Sequence, residues 1–234
     1  VKAPQDNGIA YEVIRSRRST ADIIIERDGS VVVRAPEWAD DELVARTVQS
    51  KEYWICQRLA EWRDLNAKQV LREYKNGEGF LYLGRAYRLL LVNDQAEPVQ
   101  LKNGRFLLRR DLIKGGKIAA AKAALQDFYI ARGRERLRQR VDYFAPKVGV
   151  VPTGVEVREL GHRWASCSST SKLAFHWKCM MAPPTIIDYI VTHELCHLHH
   201  RDHTDAFWNE VDKVMPDFLE RKEWLRKNGA GLDI

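Results

Sequence analysis

The run Val191-Thr192-His193-Glu194-Leu195-Cys196-His197, with His203 six positions on, constrains this chain more than any other stretch. The apolar residues around it, Ile186, Ile187, Ile190, Val191, Leu195 and Leu198, recur at helical spacing. On a helix, positions i and i+4 share a face. His193 and His197 therefore stand one turn apart, roughly 6 Å along the axis. Two imidazoles so placed can share one metal ion. Glu194, beside the first of them, can hydrogen-bond a water there without being a ligand. Pro183-Pro184 marks the helix start, where proline is favoured, and Asp188 suits its first turns.

All seven histidines, His162, His176, His193, His197, His199, His200 and His203, lie in the C-terminal third of the 234 residues. Incidental histidines would be scattered, so the clustering points to a site. Three residues compete to be the third ligand. His200 shares the face of His193 but sits a further turn along. Glu210 falls on the next helix. His203 follows a short polar segment where the chain can turn back, and the 193–197–203 spacing favours it, with a fourth position left open. Three imidazoles and the Irving–Williams order favour zinc. Zinc lowers the pKa of a water it binds toward ~7, and Glu194 is placed to take the proton as that water attacks a carbonyl or phosphoryl centre. Arg163, His176 and Lys178 are candidate donors to the oxyanion. Cys196, three residues from His193, reads as core packing. Met215-Pro216 reads as a helix stop or as a methionine-containing turn beneath the metal.

The preceding chain reads as strands and long helices. Tyr11-Glu12-Val13-Ile14 is a strand. Residues 23–33 form two more around Asp28-Gly29. Between them, Arg15-Ser16-Arg17-Arg18-Ser19-Thr20 is either a phosphate-binding cluster or a charged strand edge. One helix is expected over 40–64, with Ala39 or Asp40 near its cap and Leu43, Val44, Val48, Ile55, Leu59 and Trp62 inward. Hairpins follow over 80–92 and 99–108, the second around Asn103-Gly104. A helix over 117–145 comes next, with Gly133 as a potential interruption costing about 1 kcal/mol. Then come strands at 154–160 and 173–180, and helices at 204–214 and 218–227. The fold class is α+β. Residues 1–112 form an antiparallel β-rich module with one long helix. Residues 113–234 form a second module with a small sheet and the histidine helix.

Hydrophobic residues make up 45% and charged residues 30%, as in a soluble globular protein. No apolar run approaches the roughly 20 residues of a membrane span. The polar first 22 residues, and four cysteines without C-x-x-C spacing, point to a reducing cytoplasm. The net charge is +6, but residues 102–147 hold thirteen Lys and Arg against four acids, about +9. This segment is either a solvated helical face or a contact for nucleic acid.

In combination, several motifs resemble the YgjP-like metallopeptidase family, small gluzincin-like zinc hydrolases related to SprT-like proteases. They are Arg163-Trp164-Ala165-Ser166-Cys167-Ser168, Met181-Ala182-Pro183-Pro184, Asp188-Tyr189-Ile190-Val191, the 193–197 motif, His203 and Phe207-Trp208. Upstream, residues 15–20 and Tyr82-Leu83-Gly84-Arg85-Ala86-Tyr87-Arg88-Leu89 also match. Ala165 stands where the family has glycine, and His176 where it has asparagine before the tryptophan. The resemblance implies a zincin-like C-terminal module with one zinc ion on His193, His197 and His203, and Glu194 as base. Arg163, Trp164, His176 and Lys178 would lie on the substrate side. The strand 173–180 would be an edge strand above the metal, pairing with an extended peptide or protein. Some members are assigned UTP pyrophosphatase activity, which makes a nucleotide the second substrate class. The SprT-like relatives make a nucleic-acid-associated protein the third.

Overall fold

Val1–Gln69 and Val70–Ile234 are the two compact units of the chain. The computed structural model describes residues 9–26, 29–66, 72–116, 118–161 and 163–234, so Asp28, Lys117 and His162 lie outside the described residues.

In the first unit, β1 (Tyr11–Ser16), β2 (Asp22–Ile25) and β3 (Val31–Pro36) form a sheet of order β1-β3-β2. β3 takes the centre because Val31, Val33 and Ala35 alternate into the core. It pairs antiparallel with β2, as expected, but parallel with β1. The single helix expected over 40–64 is two helices, α1 (Asp41–Ser50) and α2 (Glu52–Asn66). Asp40 caps α1, its Oδ1 accepting from the Leu43 N–H at 2.7 Å. The break comes at Lys51 (φ −111°, ψ 8°), after Thr47 and Ser50 have turned their hydroxyls onto the carbonyls of Leu43 and Thr47. The cations of the 15–20 cluster are partly committed. Arg15 pairs with Asp41 at 2.5 Å, and Arg18 pairs with Asp22.

In the second unit, β4 (Gly79–Tyr82), β5 (Arg85–Val92), β6 (Val99–Lys102) and β7 (Arg105–Arg109) form a sheet of order β4-β5-β7-β6. Both expected hairpins form, and Asn103 and Gly104 take the left-handed conformations of the expected turn (φ 51° and 70°). The hairpins join through a parallel pair, β5 with β7. This puts β7, with fully buried Phe106 and Leu108, inside the sheet and leaves β6 at its edge.

The 30-residue helix α3 (Ala119–Val148) buries Leu125, Tyr129, Leu137 and Val141. The sheet residues Phe80, Leu89, Phe106 and Leu108 belong to the same core. The compact units therefore divide at Gln69 and not at 112/113, because the sheet over 79–109 and α3 have no separate interiors to bury. Gly133 does not interrupt α3. A Cβ there would stand 3.1 Å from Val157 Cγ1 and 3.3 Å from Met180 Cγ, so the glycine allows close packing. Gly149 ends the helix in the left-handed conformation, its N–H bonded to the Ala145 carbonyl.

A second sheet follows, from β8 (Gly154–Arg158), β9 (Ala165–Cys167) and β10 (Lys172–His176), in the order β8-β10-β9. The strand expected to run to residue 180 stops at His176. The His176 Nδ1 accepts from the Lys178 N–H at 3.1 Å and turns the chain into the 3-10 segment Trp177–Met181. β10 is the central strand, not an edge, so the exposed edge beside the histidine helix belongs to β9. The chain closes with α4 (Pro184–Cys196), α5 (Asp205–Val214) and α6 (Phe218–Asn228).

Two contacts fix α4. The turn between β4 and β5 lies against its start: the Leu83 and Gly84 N–H groups bond to the Met180 and Met181 carbonyls at 2.8 and 3.0 Å. A Cβ on Gly84 would fall 2.9 Å from the Pro183 Cα. From the other side, Arg140 of α3 holds Asp188 in a two-pronged ion pair at 2.6 and 2.9 Å. No helix among the described residues is long and apolar enough to cross a membrane.

Candidate metal centre

His193 lies in the last turn of α4 and His197 at its C-cap. The chain then tightens, with Leu198 N–H bonded to Leu195 O and His199 N–H to Cys196 O. It returns through 201–204 to bring His203 back over the helix. This bend needs no glycine, because His197 itself stays right-handed (φ −66°, ψ −13°). The result is a group of three side chains, His193, His197 and His203, whose ligand atoms all lie within 4.8 Å of one another. The Nε2 atoms of His193 and His203 stand 2.9 Å apart. Only a shared proton or a shared cation draws two such nitrogens so close.

Phe207, fully buried on α5, packs under all three imidazoles, with ring centroids 4.6–4.9 Å away. Trp208 stacks on His203 at 5.5 Å and on Phe218 at 5.4 Å. Burial drives the His193 imidazole well below its ordinary pKa, and His197, His203 and Lys222 add to the effect. His197 and His203 are lowered too, again chiefly by burial. All three rings are therefore neutral near pH 7, as metal ligation requires. The His197 Nδ1 donates to the His200 carbonyl at 3.0 Å, which turns its Nε2 toward the group. The His193 Nδ1 is buried with no hydrogen-bond partner among the described residues. The donor set thus fits a divalent ion of the zinc type: three neutral nitrogens, converged, with one ring oriented by a backbone carbonyl.

Glu194 is 6% exposed. Burial pushes its carboxyl up to about 8, against the opposing pull of Arg163. Its neighbour Tyr189 is raised by burial and by Glu194 itself. A carboxyl with its proton affinity set near neutrality can both take and return a proton.

The competing ligands His200 and Glu210 are not part of this group. Glu210 pairs with Lys213 at 2.8 Å, and that bond lowers its carboxyl. His199 is hydrogen-bonded through Nε2 to the Val148 carbonyl. Cys196 is fully buried, its thiol pushed up to about 12 by burial. Met215 lies in the core where α5 ends.

The four substrate-side candidates have different fates. Arg163 is exposed and acts on Glu194. Trp164 accepts the His176 N–H on its carbonyl at 2.7 Å, one residue before β9. Lys178 is paired with Asp233 at 3.0 Å. His176 is 2% exposed and donates from Nε2 to Glu159 at 2.7 Å, and the other oxygen of Glu159 accepts from the Trp177 indole at 2.8 Å. Three polar residues around the site carried no sequence signal. Glu159 holds the turn after β10. Arg201 donates to the carbonyls of Ser168 (2.7 Å) and Ser169 (3.3 Å) beyond β9. Lys222 lies 4.0 Å over the Trp208 ring. None stands at a motif spacing, and each is defined by a partner distant in sequence.

No curated protein matches the chain. Among solved structures, the metallopeptidase zymogen abylysin of Pyrococcus abyssi is similar at 21% identity and a TM-score of 0.38, over 42% of this chain and 99% of that one. The family model described as YgjP-like, metallopeptidase domain, matches residues 19–228, which include both sheets of the second unit and the whole histidine group. The chain therefore belongs to the YgjP-like metallopeptidase family.

Proposed function

We propose that this chain is a zinc peptidase that cleaves an extended segment of peptide or protein, with His193, His197 and His203 holding one zinc ion and Glu194 moving the proton. The observation that carries this reading is the convergence of three imidazoles, their ligand atoms within 4.8 Å of one another, next to the buried carboxyl of Glu194. A zinc ion on such a set supplies a Lewis acid that acidifies water and polarises a carbonyl. Glu194 takes the proton of the attacking water on a carboxylate oxygen and returns it to the departing amine nitrogen. Phe207 and Trp208 exclude water from the far side of the imidazoles and fix their planes. Lys178 and His176 are engaged with Asp233 and Glu159. This leaves Arg163, the candidate whose charge reaches Glu194, as the donor to the developing oxyanion.

The outer edge of β9 is the support for an extended substrate. Residues 165–167 pair with β10 on one side only, so their other backbone groups can add a strand of substrate.

The test compares zinc content and peptide cleavage in wild type and Glu194→Gln. The expected result is unchanged zinc and cleavage reduced about 10²–10⁴-fold, the usual worth of a general base. Cleavage by Glu194→Gln at the wild-type rate would overturn the reading.

A further inference from the structure

Three cations come toward the histidines from three separate segments of the chain. Arg163 lies two residues before β9. At the other end of the same strand, Arg201 bonds to the Ser168 and Ser169 carbonyls and to the Cys167 sulfur at 3.5 Å. These partners are carbonyls and a thiol, not carboxylates, so they hold the guanidinium without cancelling its charge. Across the histidines, α6 supplies Lys222. Its ammonium rests 4.0 Å over the Trp208 ring, and Trp208 stacks on His203. A cation–π contact positions an ammonium while leaving its charge and its other donors to solvent.

We infer that the site selects peptides with acidic side chains flanking the scissile bond, and that Lys222 is a specificity-determining residue contacting one of them. The inference rests on the zinc peptidase reading and adds the substrate class to it. A strand of substrate on β9 would have Arg163 and Arg201 near the two ends of its pairing. Substrate emerging over His203 would meet Lys222. Neutral peptides receive the same backbone pairing but none of these charge contacts. Acidic ones gain attraction that steers encounter and is screened by salt.

Binding tests this independently of turnover. Zinc-loaded Glu194→Gln protein is titrated with two fluorescent peptides, identical except that Glu replaces Gln on both sides of one central bond. The acidic peptide should bind about fivefold more tightly at low salt, the worth of one part-exposed ion pair. The preference should shrink at 0.5 M salt. Lys222→Gln should reduce it, and Lys222→Glu should reverse it. Equal binding of the two peptides, or a preference indifferent to Lys222→Glu, would overturn the inference. So would displacement of both peptides alike by a nucleoside triphosphate at micromolar concentration, which would assign the basic rim to phosphates. The zinc peptidase reading is judged separately, by cleavage of the neutral peptide by the wild type: if that succeeds while the acidic preference is absent, only the inference on specificity fails.

Discussion

Two clusters in the second unit are built from the same side chains, glutamate and histidine, and behave oppositely. In the first, Glu159 accepts from His176 and from the Trp177 indole, and His176 accepts in turn from the Lys178 N–H. Burial works against the charge on Glu159, but these donors outweigh it and lower its carboxyl. In the second, Glu194 is buried without such compensation and is pushed up to about 8, while three imidazoles bring their ligand atoms within 4.8 Å of one another. A buried polar group whose bonds are all made by protein is finished as structure. One whose bonds are left open is poised for a ligand, an ion or a proton. The glutamate–histidine pairing by itself says nothing about chemistry; the difference lies in what satisfies it.

The largest effect that separates the clusters is loss of metal. A strong chelator should abolish peptide cleavage and zinc should restore it, while far-UV circular dichroism at room temperature stays unchanged. The Glu159 cluster holds β10 and its turn without any ion. Unfolding on chelation would erase the distinction between the two clusters.

Substitution of each glutamate comes next. Glu194→Gln should lower cleavage by about 10²–10⁴-fold. Its effect on stability should be the reverse of that expected for an ordinary buried polar residue. In the metal-free protein Glu194 has a folded pKa above its unfolded value of about 4.3, so it costs stability as pH rises from there toward 8. Glutamine removes that cost, and thermal denaturation of the metal-free variant at pH 7 should show an equal or higher Tm. Glu159→Ala should leave zinc content and the rate-limiting chemistry in place but lower stability by about 1 kcal/mol. That figure sits at the low end for an orphaned buried donor, since the Glu159 side chain is 54% exposed and water can replace it. A larger loss of activity than of stability in Glu159→Ala would place that cluster in the chemistry after all.

These contrasts also mark how far the sequence could be read. His193, Glu194 and His197 declare themselves through local spacing, and His203 through the length of the polar return. The caps and turns at Asp40, Asn103-Gly104 and Gly149 are equally local. What the sequence could not convey are choices made between distant segments. β7 sits beside β5 because two hairpins must share one apolar face. Gly133 looks like a helix breaker until Val157 and Met180 occupy the space its side chain would fill. β10 ends at His176 because a side chain caps the turn. Glu159 reads as one more strand residue until its partners, 17 and 18 positions away, close on it.

The smallest predicted effect concerns acid. Burial holds His176 below its ordinary pKa of about 6.5. The unfolded chain therefore takes the proton first, and the contribution of this ring is complete above about 6.5 and lost as pH falls through its folded value. Glu159, also lowered, loses its contribution in turn below about 4.3. In metal-free Glu194→Gln protein, where the opposing effect of Glu194 is removed, Tm should be level near pH 7 and fall on acidification. The zinc-loaded protein should fall more steeply, because protons then compete with the ion for three imidazoles. A Tm of the metal-free Glu194→Gln protein that rises below pH 6.5 would contradict the assignment of His176 as a buried neutral ring.

The most direct measurement is anomalous diffraction at the zinc edge from crystals of the zinc-loaded protein. The account predicts one strong peak per chain, at about 2.0–2.1 Å from a ring nitrogen of each of His193, His197 and His203, with Glu194 beside it and outside bonding distance. A peak on Glu210 or His200, or none at the three histidines, would contradict it.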